Sequence, residues 1–469
     1  MTAVGPKPFK AGRRRVSLER LLFTRVELWA VVLLILFGCL LAIGYGAAVL
    51  DAEREDFRLG SISRGALAVA EIPQNAYQML TRDTALLVKD TALYKSNPTG
   101  WSFPSGPMTT PDGYILLSRY DGSEKRNKLE LVSLPAMKTV RSWTLDANQL
   151  LKDVTHVSRF ADHDNWDPAH FRQIHPWLTE SGDLIVKDHD SPLVRIDPCG
   201  KVLWTLQDAV YHHSTEADAD GNLWIPSTAE KQTIPGVPDS FRENMISEVS
   251  PSGKLLFRKS VAQILMRHGF TNWLFTKGMY NHDPIHLNDI EPVLKDGPFW
   301  KKGDLFLSLR NVSAVLLYRP GTDEILWIKR GPWISQHDVD VLDDHRIGIY
   351  DNAVEGRAQW KPYFESSSQV VIYDFATDKI SRPLEKAMRE NKVRTVDDGL
   401  FSRLPDGSTL IEGSRAARLM IFRPDGSVAA RYTNRAKNGS IYHLGWNRYI
   451  DQAKGDIILR NLRKVQCNA

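Results

Sequence analysis

The chain has 469 residues, with 60 Lys plus Arg against 56 Asp plus Glu, a formal net charge of +4. That balance excludes a dedicated nucleic-acid binder, which needs a concentrated basic face, and 42% hydrophobic residues exclude wholesale disorder. The 31 Gly, 25 Pro and 13 Trp favour many turns and aromatic-rich strands.

Seven basic residues (Lys7, Lys10, Arg13, Arg14, Arg15, Arg20 and Arg25) occupy residues 1–27. Residues 28–50 follow without one charge, from Leu28 to Leu50 with Trp29 near the start. At about 1.5 Å per helical residue this run spans the hydrocarbon of a bilayer. No small-x-small cleavage pattern follows, so the sequence predicts an uncleaved signal anchor. The basic flank places the N-terminus in the cytoplasm. The expected location is the inner membrane, single-pass, with the rest of the chain periplasmic or extracytoplasmic.

Residues 51–100 read as a partly helical stalk, interrupted at Pro73. From Trp101 to the end the pattern changes to short strands between turns. A unit of turn, strand, turn, strand, turn, strand recurs six times, about 60 residues apart. The copies begin at PDGYILLSRY, ESGDLIVKDH, DADGNLWIPS, KKGDLFLSLR, LDDHRIGIYD and PDGSTLIEGS. One such sheet cannot bury both of its faces, so its neighbours must stack on it. The expected fold class is all-β, a six-bladed propeller over residues 101–469.

Only Cys39, Cys199 and Cys467 occur, with no CxxC, which excludes cysteine-based metal centres. One bridge between Cys199 and Cys467 remains open. DHDNWD, Asp162 to Asp167, starts like a calcium loop but lacks its Gly and its Glu. No phosphate-cradling glycine motif and no GxSxG elbow occurs.

Histidines recur just upstream of the first strand of several copies: His175, the pair His212 and His213, His286 and His337, with His443 where the chain returns to the first copy. Equivalent positions in a propeller converge on its axis, so these side chains are expected around one central funnel. Arg310, in SLRN, is expected there too, or in a bridge between blades. Its planar fork matches sulfate, phosphate or carboxylate. Asp188-His189-Asp190 reads as a solvated hairpin tip, and His282-Asp283 as loop structure. A guanidinium among neutral imidazoles suits an oxyanion better than a metal, so neither a metal nor a cofactor is expected.

The segments YHHSTEADADGNLWIP, DPIHLNDIEPV, GDLFLSLRNVSAVLLY, ILWIKRGPWISQHDVDVLDDHRIGIYDN and LPDGSTLIEGSRAARLMIFRPDGSV resemble, in that order, the PAPS-independent arylsulfotransferases. The resemblance spans roughly residues 105–450 and implies a six-bladed propeller. It implies transfer of a sulfuryl group from a phenolic sulfate ester to a phenol or other hydroxyl through a sulfohistidine. By motif it makes His337 of QHD the nucleophile. His286 of HLN, Arg310 of SLR and His213 of HHS, or its neighbour His212, would complete the catalytic set. By the histidine register rather than the resemblance, His175 and His443, with His212, are expected to contact substrate. The implied partners are small-molecule donor and acceptor, with the membrane as anchor. The alternatives are a non-catalytic propeller that binds a glycan or protein partner, and a three-histidine metal enzyme.

Overall fold

The computed structural model describes residues 26–53, 58–85, 87, 97–109, 111–276, 281–358 and 361–467, so the basic residues 1–25 lie outside it. The chain divides into two units, Met1–Arg82 and Asp83–Ala469.

In the first unit the uncharged run forms the helix Leu28–Glu53, long and apolar enough to cross a membrane. Leu33, Leu34, Ile35, Phe37, Leu40 and Leu41 are all exposed on it. By length and composition such a helix fits a membrane anchor or a signal sequence. The helix Ser61–Ala85 runs straight through Pro73, correcting the expected interruption. Helix formers on both sides, from LAVAE to AYQML, carry the chain past one missing N–H.

The second unit is a propeller-like array of antiparallel sheets. Among the described residues three sheets have four strands and one has five. The second and third sequence repeats do not form separate sheets. They merge into one eight-stranded sheet, because Val202–Tyr211 is long enough to pair with both Ser191–Ile196 and Leu223–Thr228. A separate hairpin, Val354–Ala358 with Lys361–Phe364, projects after Asp351.

Both ends of the array are interlocked. Gly100–Ser102 pairs with Val428–Thr433, and Arg448–Ile450 pairs with Gly113–Asp121. The first sheet therefore takes a strand from the C-terminal side, and the last takes one from the N-terminal side. Neither sheet is left with the exposed edges that its own repeat would give it. The helix Gln452–Leu462 follows and packs Leu462 and Ile458 into the core between the first two repeats. Gly455 is needed there: a Cβ would meet Tyr114 Cδ2 at 2.1 Å. Beyond the helix, Cys467 is disulfide-bonded to Cys199, which settles the pairing that the spacing left open.

Candidate functional site

The turn register is a backbone fact, and histidine occupies half of it, with His337 two residues beyond the left-handed Ser335. Just before the first strand of successive repeats one residue takes a left-handed conformation: His175, His213, His286, Ser335, Asp398 and Trp446. Positive φ at such residues costs about 1–3 kcal/mol each and persists only where the surroundings enforce it.

Hydrogen bonds between these turns supply that enforcement. His175 N donates to Gly445 O at 2.9 Å, and Thr215 N to His175 Nδ1 at 3.2 Å. Ser214 N donates to Asn288 O, Asn288 Nδ2 to Gln336 O, and Asp398 N to His337 Nε2. Glu412 accepts from the N–H groups of Trp446 and Asn447. Lys187, almost wholly buried, brackets two turns by donating to Ile174 O at 3.1 Å and His213 O at 2.5 Å. Burial and the nearby Arg448 push its ammonium down to about 7.

Where the turns converge lies a cavity of about 430 Å³. His212, His213, His286, His337 and Arg310 line it, as the sequence predicts. His175 and His443 do not, which corrects their expected placement. His175 is buried with its ring 5.0 Å from Trp446 and Nε2 3.5 Å from Glu216. His443 precedes the left-handed residue of its turn by three positions, and Trp446 occupies the register position instead. Burial, with Arg415 nearby, pushes the His443 imidazole down to about 3.

His213 is the hub. Its ring lies 4.7 Å from that of His189, 5.0 Å from His212 and His286, and 6.0 Å from His337. Burial and this crowd of imidazoles hold His213 far below its ordinary range, and His212 likewise. Both are therefore neutral, and their Nδ1 atoms share one hydrogen bond of 2.8 Å.

His337 is fully buried and both ring nitrogens are engaged. Asn352 Nδ2 donates to the carbonyls of Thr395 and Asp398, so its Oδ1 must face His337 Nδ1, at 2.7 Å. An amide oxygen only accepts, so Nδ1 carries the proton and Nε2 the lone pair. That lone pair receives the N–H of Asp398 at 2.9 Å. Burial and Arg310 push the imidazole down to about 3.

Arg310 is the cavity cation with the loosest protein pairing. The one hydrogen bond of its guanidinium among the described residues runs to Asn311 Oδ1 at 3.0 Å, and its buried Nε–H has no acceptor. An orphaned buried donor is costly and is satisfied by a bound acceptor such as an oxyanion.

Several lining residues escaped the sequence reading. Asp188-His189-Asp190 is not a solvated tip: Asp188 is 2% exposed, and His189 and Asp190 line the cavity. His189 Nε2 lies 3.4 Å from Asp398 Oδ1, and Asp190 pairs with Arg242. His282 and Asp283 line it as well, with Arg172, Arg415, Asp397 and Asp398. Asp398-Gly399 carries a sequence cue, since an Asp-Gly pair marks a turn, and both residues have positive φ. Gly399 has φ +100° there, and a Cβ would meet Tyr350 at 2.7 Å.

His189, His213 and Asp398 each offer a ligand atom, all within 4.8 Å of one another. Arg172 lies 4.0 Å from Asp398, and four arginines (Arg172, Arg242, Arg310 and Arg415) face four carboxylates (Asp190, Asp283, Asp397 and Asp398) around the same space. Arg242 pairs with Asp190 and Arg415 with Asp397, so among the described residues the Arg310 fork is the cation left for an anion.

Residues 175–435 match the arylsulfotransferase (ASST) family. The chain belongs to the arylsulfotransferase family. The matched span includes every cavity-lining residue except Arg172. No curated protein matches the chain. Among solved structures, a Bacteroides caccae protein of unknown function is similar at 14% identity and TM-score 0.44, covering 72% of this chain and 99% of that one. Virginiamycin B lyase from Staphylococcus aureus is similar at 11% identity and TM-score 0.32, covering 55% of this chain and 69% of that one. Kuenenia stuttgartiensis hydrazine synthase is similar at 10% identity and TM-score 0.36, covering 69% and 80%. Membership in the arylsulfotransferase family supports a sulfotransferase-like function.

Proposed function

We propose that this chain moves a sulfuryl group from a phenolic sulfate ester to a hydroxyl acceptor through a sulfohistidine at His337, without PAPS or a metal. The observation that carries the reading is the tautomer of His337. Asn352 holds the Nδ1 proton, so a neutral ring keeps its nucleophilic pair on Nε2.

In the first half, Nε2 attacks sulfur and the bond from sulfur to the aryl oxygen breaks. His286 gives its proton to the departing phenolate. The sulfo-imidazole keeps its Nδ1 proton and its positive ring charge, which the Asn352 oxygen stabilises. In the second half the acceptor hydroxyl passes its proton to His286 and its oxygen attacks sulfur. His337 then leaves as neutral imidazole. Sulfuryl transfer, like phosphoryl transfer, spreads charge over equatorial oxygens. The Arg310 fork and the His212–His213 pair are the groups proposed to hold those oxygens.

One observation favours the second reading, a propeller that binds a glycan or protein without turnover. Nε2 of His337 is covered by the Asp398 N–H, and that bond must open before attack. Its net worth is about 1 kcal/mol, small beside the barriers of group transfer.

We also propose six blades over residues 101–469. A distinct core, Ile185, Leu193 and Tyr211 against Leu223, Ile225 and Val249, supports dividing the eight-stranded sheet into two. Residues 28–50 would be a signal anchor, 51–100 a stalk and 1–27 a cytoplasmic tail. The Cys199–Cys467 disulfide supports an extracytoplasmic, oxidising location for the propeller.

The test is intact mass of the full chain mixed with phenyl sulfate and no acceptor. A single sulfuryl adduct is expected, discharged by added phenol and absent in His337→Ala and His337→Gln. Absence of both adduct and phenol release across a panel of aryl sulfates would decide for the binding propeller.

A further inference from the structure

The turn before Leu287–Pro292 holds a carboxylate with no part in the mechanism so far. Asp283 is buried, and its Oδ2 lies 2.5 Å from Nδ1 of His286. Its Oδ1 accepts from the backbone N–H of His286 at 3.1 Å and from Asn244 Nδ2 at 2.9 Å. Asn311 Nδ2 donates to the Asp283 carbonyl at 2.6 Å, and Asn244 Oδ1 accepts from Leu287 N. Asn244, at the start of the strand Asn244–Val249, and Asn311, in the turn after Leu305–Leu309, thus clamp a turn whose His286 sits at φ +53°.

We propose that Asp283 is a positioning residue for His286, fixing which ring nitrogen faces the substrate. This rests on the transfer reading above. An ionised carboxylate only accepts, so it holds the proton on Nδ1. Nε2 is then the nitrogen left for the cavity, and among the described residues it has no hydrogen-bond partner. His286 lines that cavity with its side chain 31% exposed, against 5% for His175. A free neutral imidazole does not hold the proton on Nδ1 by preference, so the tautomer has to be imposed from outside. Burial would push the Asp283 carboxyl up, but His286, Asn244 and Arg242 outweigh it and hold it far below the usual range. Asp283 therefore stays an acceptor throughout the working pH range.

The consequence is a defined proton port. With Nδ1 occupied, Nε2 takes the acceptor's proton in one half-reaction and delivers it to the leaving oxygen in the other. Asp283→Asn keeps the size of the side chain but offers N–H groups to Nδ1, which favours the opposite tautomer. Asp283→Glu keeps the acceptor at a longer reach.

Two measurements on the full chain in detergent test this. The first is kcat/KM for aryl sulfates with graded leaving groups. Asp283→Asn should lose about 100-fold with phenyl sulfate, which needs a proton donor, and under about 5-fold with 4-nitrophenyl sulfate, which does not. Asp283→Glu should recover part of the loss. An equal loss with both esters, or none, would overturn the proposal. The second is ¹⁵N NMR of the His286 ring, assigned with His286→Gln. The wild type should carry the neutral proton on Nδ1 and Asp283→Asn on Nε2; identical tautomers would also overturn it. A wild-type chain that turns over no ester ends the transfer reading alone, because the ring measurement needs no turnover.

Discussion

The backbone N–H of Asp398 donates to Nε2 of His337 at 2.9 Å, so the lone pair proposed to attack sulfur is capped by the turn opposite. The same turn receives Asn352, whose amide joins the Asp398 carbonyl to Nδ1 of His337. One asparagine thereby fixes both the tautomer of the ring and the position of its cap. Asn352→Leu keeps the volume and removes all three bonds. It should cost on the order of 1–3 kcal/mol in a denaturant melt, for groups left unpaired in the interior. It should also slow adduct formation at least about 100-fold, read by intact mass. A variant that forms the adduct at the wild-type rate would mean the tautomer is set by something else.

Arg310 has a buried Nε–H without an acceptor and one weakly held guanidinium nitrogen. Arg310→Lys keeps the charge and discards the fork. Its kcat/KM for an aryl sulfate should fall roughly 10²-fold, with the loss mainly in kcat. If lysine serves as well as arginine, a point charge suffices and the fork is irrelevant.

The buried groups give opposite pH slopes that two variants separate. His443 titrates at about 3 in the folded chain, below its unfolded value. The unfolded chain then binds more protons between those limits, so the His443 contribution is present above pH ~6.5 and lost as pH falls toward 3. Asp289 behaves inversely. Burial and Glu216 push it up to about 7, so its contribution is full below pH ~4 and lost as pH rises through 7. Melting curves from pH 4 to 8 should show His443→Gln less sensitive to acid than the wild type. Asp289→Asn should lose less stability on the alkaline side. Parallel curves for either variant would show that its group does not titrate differently on unfolding.

The Cys199–Cys467 disulfide joins residues 268 apart and pins the segment after Gln452–Leu462 to the second repeat. Cys467→Ser should cost about 2–5 kcal/mol. Dithiothreitol should lower the wild-type melting temperature to that of the variant and leave the variant unchanged. Gly455→Ala should destabilise the same place by forcing the helix away from Tyr114. Full resistance of the wild type to reductant, with a normal melt for Cys467→Ser, would remove the staple from the account.

Motif order made much of the cavity legible. His213, His286 and Arg310 sit where HHS, HLN and SLR place them, because each motif is the local turn and strand start that aims its side chain. The equal register given to His175 and His443 failed for a different reason. Spacing along the chain sets which residue stands at a turn, but not how deep that turn lies. His175 is packed against Trp446 and Glu216, and Trp446 takes the inward position in the turn of His443.

The sequence by itself determined the all-β class and the apolar N-terminal helix, because strand alternation, turn residues and an uncharged run are local properties, and the order of its motifs carried the resemblance to the family. The tertiary structure alone decided that Asp398 caps His337, that Asp283 holds His286 and that His189 enters the cavity. It also decided that two repeats share one sheet and that Cys199 meets Cys467. Each of those is a meeting of segments tens to hundreds of residues apart. Such pairs are chosen when the sheets pack and the backbone donors of the turns must all find acceptors. A linear pattern carries no record of which neighbour supplies them.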